Sequence, residues 1–139
     1  MKNLIMILTV TVAAVGLCTF PATASWTDSF IQPHTTGSIK YVTGGGGLEE
    51  RAALAKTENN YNLRLIFATK SGDYLANVST DISGPDGKVL LDTVVNGPWL
   101  FVNLPEGKYK VAVALDNQKK VKDISIDKKP ELIMFHLNQ

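Results

Sequence analysis

The alternation of apolar and polar residues changes character twice along the chain. Leu4 to Leu17 form a largely apolar run of about 14 residues behind Lys2. Ser25 to Ser38 mix polar and apolar residues around Pro33 without a period, which predicts an extended or partly disordered arm. From Tyr61 onward the period is close to two. Tyr61, Leu63, Leu65 and Phe67 alternate; Leu75, Val78 and Ile82 mark Tyr74 to Ser83; Val89 and Leu91 mark Lys88 to Val95. That spacing puts apolar side chains on one face of a strand.

The stretch Asn96 to Val111, NGPWLFVNLPEGKYKV, is the most informative. A turn at Asn96-Gly97-Pro98 leads into Trp99 to Val102, and a second at Leu104-Pro105-Glu106-Gly107 leads into Tyr109, Val111 and Val113. Aromatic and β-branched runs bounded in this way predict two antiparallel strands and their connection. Lys119 to Asp127 alternate with a phase slip near Asp123, which predicts a β-bulge, and Glu131 to Leu137 form a last strand. Upstream, Ile39 to Val42 suit a short strand, and Gly44-Gly45-Gly46-Gly47 precede Leu48 to Lys56. The latter segment predicts a short helix, with Glu49 and Glu50 in its first turn and Lys56 in its last. Leu48, Ala52 and Ala55 share a face beside Leu54, and a helix this short must dock to persist. The expected architecture is all-β: roughly seven antiparallel strands in a sandwich, with one short helix after a Gly-rich loop.

The run from Asn77 to Ile126 resembles the carboxypeptidase regulatory-like domain, a prealbumin-like (transthyretin-like) β-sandwich. The matching features are the Gly84-Pro85-Asp86-Gly87 turn, Lys88 to Val95, Asn96-Gly97, Trp99 to Val102, the Leu104-Pro105-Glu106-Gly107 turn and the strand opening at Tyr109. GGGGLEERAAL followed by YNLRLIFA also looks like a group of small exported bacterial proteins carrying this domain. The resemblance implies a non-catalytic sandwich, of the kind that serves larger proteins as a folding, spacing or recognition module; fold alone does not give function. One relative of this fold, the hydroxyisourate hydrolase, is an enzyme with a Tyr-Arg-Gly-Ser C-terminus. This chain ends Phe135-His136-Leu137-Asn138-Gln139.

The N-terminal run has the layout of a secretory signal: basic Lys2, the apolar segment, then Ala22-Thr23-Ala24 as an A-x-A cleavage site. Residues 1–24 are therefore expected to be removed, 25–38 to form the arm and 39–139 a single sandwich domain. The run is shorter than the about 20 residues a retained membrane helix needs, so no stable membrane span is expected after cleavage, and the location is periplasmic or secreted. Cys18 is the only cysteine. Leu17 before it is larger than the residue usual at a lipidation site, and A-x-A lies downstream, so the mature chain is expected to lack cysteine and disulfides. Cleavage after residue 24 of 139 leaves 115 residues, with 13 basic and 13 acidic side chains once Lys2 is gone. That balance argues against nucleic acid as a partner. Lys119, Lys120, Lys122, Lys128 and Lys129 read as a solvated strand face and turn, diluted by Asp123 and Asp127.

Candidate chemistry is sparse. His34 and His136 are the only histidines and lie far apart in sequence; with no close-spaced ligand cluster, no metal site and no cofactor are expected. No serine stands in a Gly-x-Ser-x-Gly elbow, and Glu49-Glu50 suit the helix dipole better than an acid/base pair. Gly44 to Gly47 before a helix would suit an anion cradle, yet no Gly-Lys-Ser/Thr follows and two glutamates open the helix. Gly44, Gly45, Gly46, Gly47 and Leu48 are instead the leading candidates for an interaction surface. Trp99 and Tyr109 are candidates for an aromatic platform, with the sandwich core as the simpler home for such side chains. Trp26, with Phe30, is an apolar contact candidate in the arm. The expected function is an exported, non-catalytic binding or assembly module whose partner is another exported protein; the alternative is a module for carbohydrate or another small ligand, with a glycan on Trp99 and Tyr109.

Overall fold

A computed structural model describes residues 31–139. The leader 1–24 with its cleavage site, Cys18, Trp26 and Phe30 lie outside the described residues. Nine strands are described: β1 (His34–Thr36), β2 (Ile39–Gly44), β3 (Leu63–Ala68), β4 (Val78–Ser83), β5 (Val89–Val95), β6 (Trp99–Asn103), β7 (Gly107–Leu115), β8 (Gln118–Ile126) and β9 (Glu131–His136). Helix α1 (Leu48–Thr57) runs into a 3₁₀ turn, Glu58–Asn60, before β3. The strands form two sheets, ordered β1-β2-β6-β3-β9 and β5-β4-β7-β8. No described helix is long and apolar enough to cross a membrane.

The expected sandwich is present, with more strands and a mixed sheet. β3 and β9 pair in parallel, Leu63 opposite Glu131 through Ala68 opposite His136, while every other pair is antiparallel. The end of the predicted arm also forms a strand. β1 pairs with β2 through Thr36 opposite Ile39, and Gly37 at φ +60° makes the two-residue turn.

The stretch Asn96 to Val111 does not fold as the expected antiparallel pair. β6 lies inside the five-stranded sheet and β7 inside the four-stranded one. The Leu104–Gly107 turn therefore carries the chain across the sandwich. Tyr109 clamps that crossing: its hydroxyl donates to the Pro105 carbonyl at 2.6 Å. A tyrosine tied back to the chain just upstream holds corners of this kind in other sandwiches.

The main core lies between the sheets. Leu63, Leu65 and Phe67 of β3, Leu100 and Val102 of β6, and Ile133 and Phe135 of β9 face Val78 and Ile82 of β4, Leu91 of β5, Val111 and Val113 of β7, and Ile124 and Ile126 of β8. Each fully buried side chain of this size contributes roughly 1.5–3 kcal/mol. A second cluster lies on the other face of the five-stranded sheet, where Leu54 of α1 covers Val42, Tyr61 and Phe101, flanked by Ile31 and Trp99. Tyr61 thus leaves the face it was expected to share with Leu63, because the 3₁₀ turn re-aims it before β3 begins.

Four local expectations change. Helix α1 docks through Leu54, which is fully buried, while Leu48 is 79% exposed. β4 begins at Val78 rather than Tyr74, since Asn77 takes a positive φ of 58° that breaks the extended run. The β7–β8 register is unbroken from Gly107–Ile126 to Leu115–Gln118, so there is no bulge at Asp123; the phase slip arises because Val121 faces outward, 53% exposed, while Ile124 and Ile126 face the core. The irregularity sits instead between Ile82 and Ser83 against β5, and it turns Val89 outward.

Thr80 is fully buried among the inward residues of β4, and its hydroxyl has no hydrogen-bond partner among the described residues. A buried unsatisfied hydroxyl costs about 1–3 kcal/mol. Thr80→Val keeps the shape and removes the polar atom, so it should stabilise the fold by about 1 kcal/mol. Urea unfolding with an unchanged m-value is the check; equal or lower stability would show that the hydroxyl is satisfied in solution.

Candidate functional site

The glycine run and Trp99 meet in space. Gly44 ends β2 opposite Trp99 of β6. Gly45, at φ +93°, lies against the Trp99 ring: a Cβ there would stand 3.2 Å from Trp99 Cγ and 3.3 Å from Arg51 Cγ. Gly97 packs directly on the backbone of Gly44, leaving no room for a Cβ. These glycines are therefore a packing device that brings the loop onto β6.

The loop also answers the anion question. Gly46 N–H donates to Glu50 Oε2 at 3.0 Å, so a carboxylate of the chain itself takes the amide that an external anion would use. Glu50 lies at the third helical position and reaches back past Gly47 to the amide one residue before it, which pins the loop to the first turn of the helix. Gly47 serves as N-cap and Leu48 projects into solvent. Arg51 donates to the Gly45 carbonyl at 2.7 Å and lies 5.3 Å from the centroid of the Tyr74 ring. Trp99 stacks on Phe101, with centroids 5.8 Å apart, and its buried indole N–H has no partner among the described residues.

Trp99 and Tyr109 do not form one platform. Trp99 belongs to the cluster under the helix, while Tyr109 is buried in the inter-sheet core with its hydroxyl engaged by Pro105. His34 and His136 are likewise separated. They lie on β1 and β9, the two opposite edges of the five-stranded sheet. His34 stacks on Tyr41 at 5.3 Å. Among the described residues no three His, Cys, Asp or Glu side chains converge. An open groove of about 610 Å³ is lined by Ser83, Pro85, Lys108, Lys110, Asp123 and Ser125.

The feature that sequence reasoning did not locate is the outer face of β9. Helix α1 covers the β2–β6 half of the five-stranded sheet; over β3 the Arg64 guanidinium pairs with Glu58 at 2.8 Å, and among the described residues β9 keeps its outward side chains about half exposed. Register places Trp99, Ile66 and Met134 in one row across three strands, and Phe101, Arg64 and Leu132 in the next. Leu132 is 56% exposed and Met134 50%. β9 is also an edge strand. Glu131 N–H donates to Asn62 O and Leu137 N–H to Ala68 O, so the odd positions of β9 face β3. Leu132, Met134 and His136 consequently turn their N–H and C=O groups outward. The signal in the sequence was four consecutive apolar residues, Leu132 to Phe135, without a charge among them.

Comparison with protein-family models and with curated proteins found no match to this chain.

Two outcomes test this part of the molecule. Gly45→Val should destabilise the fold by about 1–3 kcal/mol, from the positive φ and the Trp99 contact together; thermal unfolding within 1 °C of wild type would contradict the packing role. Asp81 and Asp92 face each other across β4 and β5. Burial raises the Asp81 pKa first, the hydrogen bond and charge of Asp92 raise it further, and Lys119 partly opposes them. The folded state thus holds its proton more tightly than the unfolded chain, and this site loses stability as pH rises from about 4 through the raised value. Asp81→Asn should therefore stabilise the protein at pH 7, with the gain fading below about pH 4; a gain independent of pH would sink this account.

Proposed function

We propose that this protein is an exported, non-catalytic binding module that captures an extended segment of another exported protein by strand addition to β9. One observation carries the reading: β9 offers outward main-chain groups at Leu132 and Met134 beside a face of exposed apolar side chains. Exposed edges are usually blunted by charge, proline, bulges or short length. β1 has three residues, β8 carries Lys119, Lys120 and Lys122, and β5 carries Asp92 beside a bulge. β9 has none of these between Glu131 and His136. An edge whose outward amides have no backbone partner among the described residues, flanked by apolar side chains, suits an added strand, whose main chain gives affinity and whose side chains give specificity. Met134 suits such a surface, since a thioether chain adapts to varied neighbours.

The periplasmic or secreted location rests on the leader pattern of residues 1–24, and the prealbumin-like class on the resemblance of Asn77 to Ile126. The alternative reading, a module for carbohydrate or another small ligand, would have to use Trp99 or Tyr109 singly, since the two lie in different clusters.

A photo-crosslinking side chain at position 132 in cells should yield a discrete adduct that a probe at position 88 does not. Met134→Pro removes an outward N–H without touching a bond to β3, and edge strands tolerate proline there. It should abolish the adduct while leaving thermal unfolding nearly unchanged. An adduct that survives Met134→Pro, or no adduct above the control, would overturn strand addition.

A further inference from the structure

We infer, on the strand-addition reading above, that the captured segment alternates apolar and acidic residues, the acidic ones facing β8. The two sheets leave a seam between their edges β8 and β9. It is bridged near the C-terminus: Gln118 exchanges two hydrogen bonds with the backbone of Asn138, at 2.6 and 2.8 Å, and Lys120 Nζ donates to the His136 carbonyl. These contacts step antiparallel by two residues on each strand. The next step brings Lys122 level with Met134, the midpoint of the open edge.

Lys120 and Lys122 share the parity of Ile124 and Ile126, which face the core. They therefore stand where the inward face of sheet would continue if a strand were added beyond β9. Asp123 has the opposite parity and belongs to the outer face of the four-stranded sheet. Glu131, by the same stepping, lies level with Ser125, beyond both lysines. Among the described residues neither lysine forms an ion pair.

A strand beside β9 presents alternate side chains to the two faces. Those on the outer face lie next to Leu132 and Met134 and must be apolar. Those on the inner face meet two ammonium groups without carboxylate partners, and acidic residues complete them. Lysine at the same positions would be repelled, so the seam selects by sign of charge.

Fluorescence anisotropy with labelled nine-residue peptides tests this on the exported protein. A peptide alternating valine and glutamate should bind about tenfold tighter than one alternating valine and lysine, at low salt, as a few partly exposed charge pairs allow. The preference should shrink in 1 M NaCl. Lys122→Glu, which leaves the Lys120 bond to His136 in place, should reduce it, and Lys120→Glu with Lys122→Glu should invert it. Met134→Pro should abolish binding of both peptides. Equal binding of the two peptides, both lost in Met134→Pro, would overturn the acidic partner and leave strand addition standing. Binding that persists in Met134→Pro, or no binding of either peptide, would overturn strand addition and this inference with it.

Discussion

β6 is the strand on which the rest of the molecule depends, because it must be buried on both faces. Leu100 and Val102 enter the core between the sheets, while Phe101 and Trp99 enter the cluster under α1. A strand flanked on both faces reads as a continuous apolar run rather than an alternating one, and Trp99 to Val102 has that form. Two sheets of alternating strands would bury one core. The doubly buried strand creates the second, and with it the need for a helix on the outside.

Two close approaches hold this arrangement in place. Gly97 rests on the backbone of Gly44 as the chain enters β6, and Gly45 lies flat on the Trp99 ring. The glycine run therefore sets how near α1 sits to the sheet. Leu54 then reaches Val42, Tyr61 and Phe101, and Arg51 folds back to the Gly45 carbonyl. A ten-residue helix with a single fully buried side chain covers only about two strands' width. Among the described residues, the part of the sheet that the helix does not reach is where β9 presents Leu132 and Met134 beside the partly buried Ile66 of β3. The open face thus follows from the size of the helix that the glycine loop positions.

Strand type and most core residues were legible in the chain, because period-two patterning and turn residues are local signals. Leu63, Leu65, Phe67, Val111 and Ile126 sit where alternation placed them. What failed was non-local. Leu104-Pro105-Glu106-Gly107 is a turn in either case, and nothing in four residues says whether the next strand pairs with the last or crosses to the other sheet. The parallel β3–β9 pair joins residues about 70 positions apart, from Leu63 to Glu131, beyond any local pattern. Leu48 shared a helical face with Ala52 and Ala55, yet Leu54 decided the docking, because one large side chain outweighs two alanines in buried area. The glycine run and Trp99 were each visible as candidates; only folding showed that one packs on the other.

The edge of β9 illustrates how core packing and exposed apolar side chains coexist on one strand. Its odd positions, Ile133 and Phe135, are committed to the core, and their amides are committed to β3. The even positions carry the exposed side chains and the outward main-chain groups; of these, the His136 carbonyl accepts from Lys120. A lysine or glutamate at position 132 or 134 would blunt the edge with no loss of core packing. Leucine and methionine stand there instead, on the strand beside the seam where Lys120 and Lys122 lie. Each still buries about half of its side chain beside Arg64 or Ile66 of β3, so the fold draws some cross-strand packing from both positions while leaving their outer halves exposed.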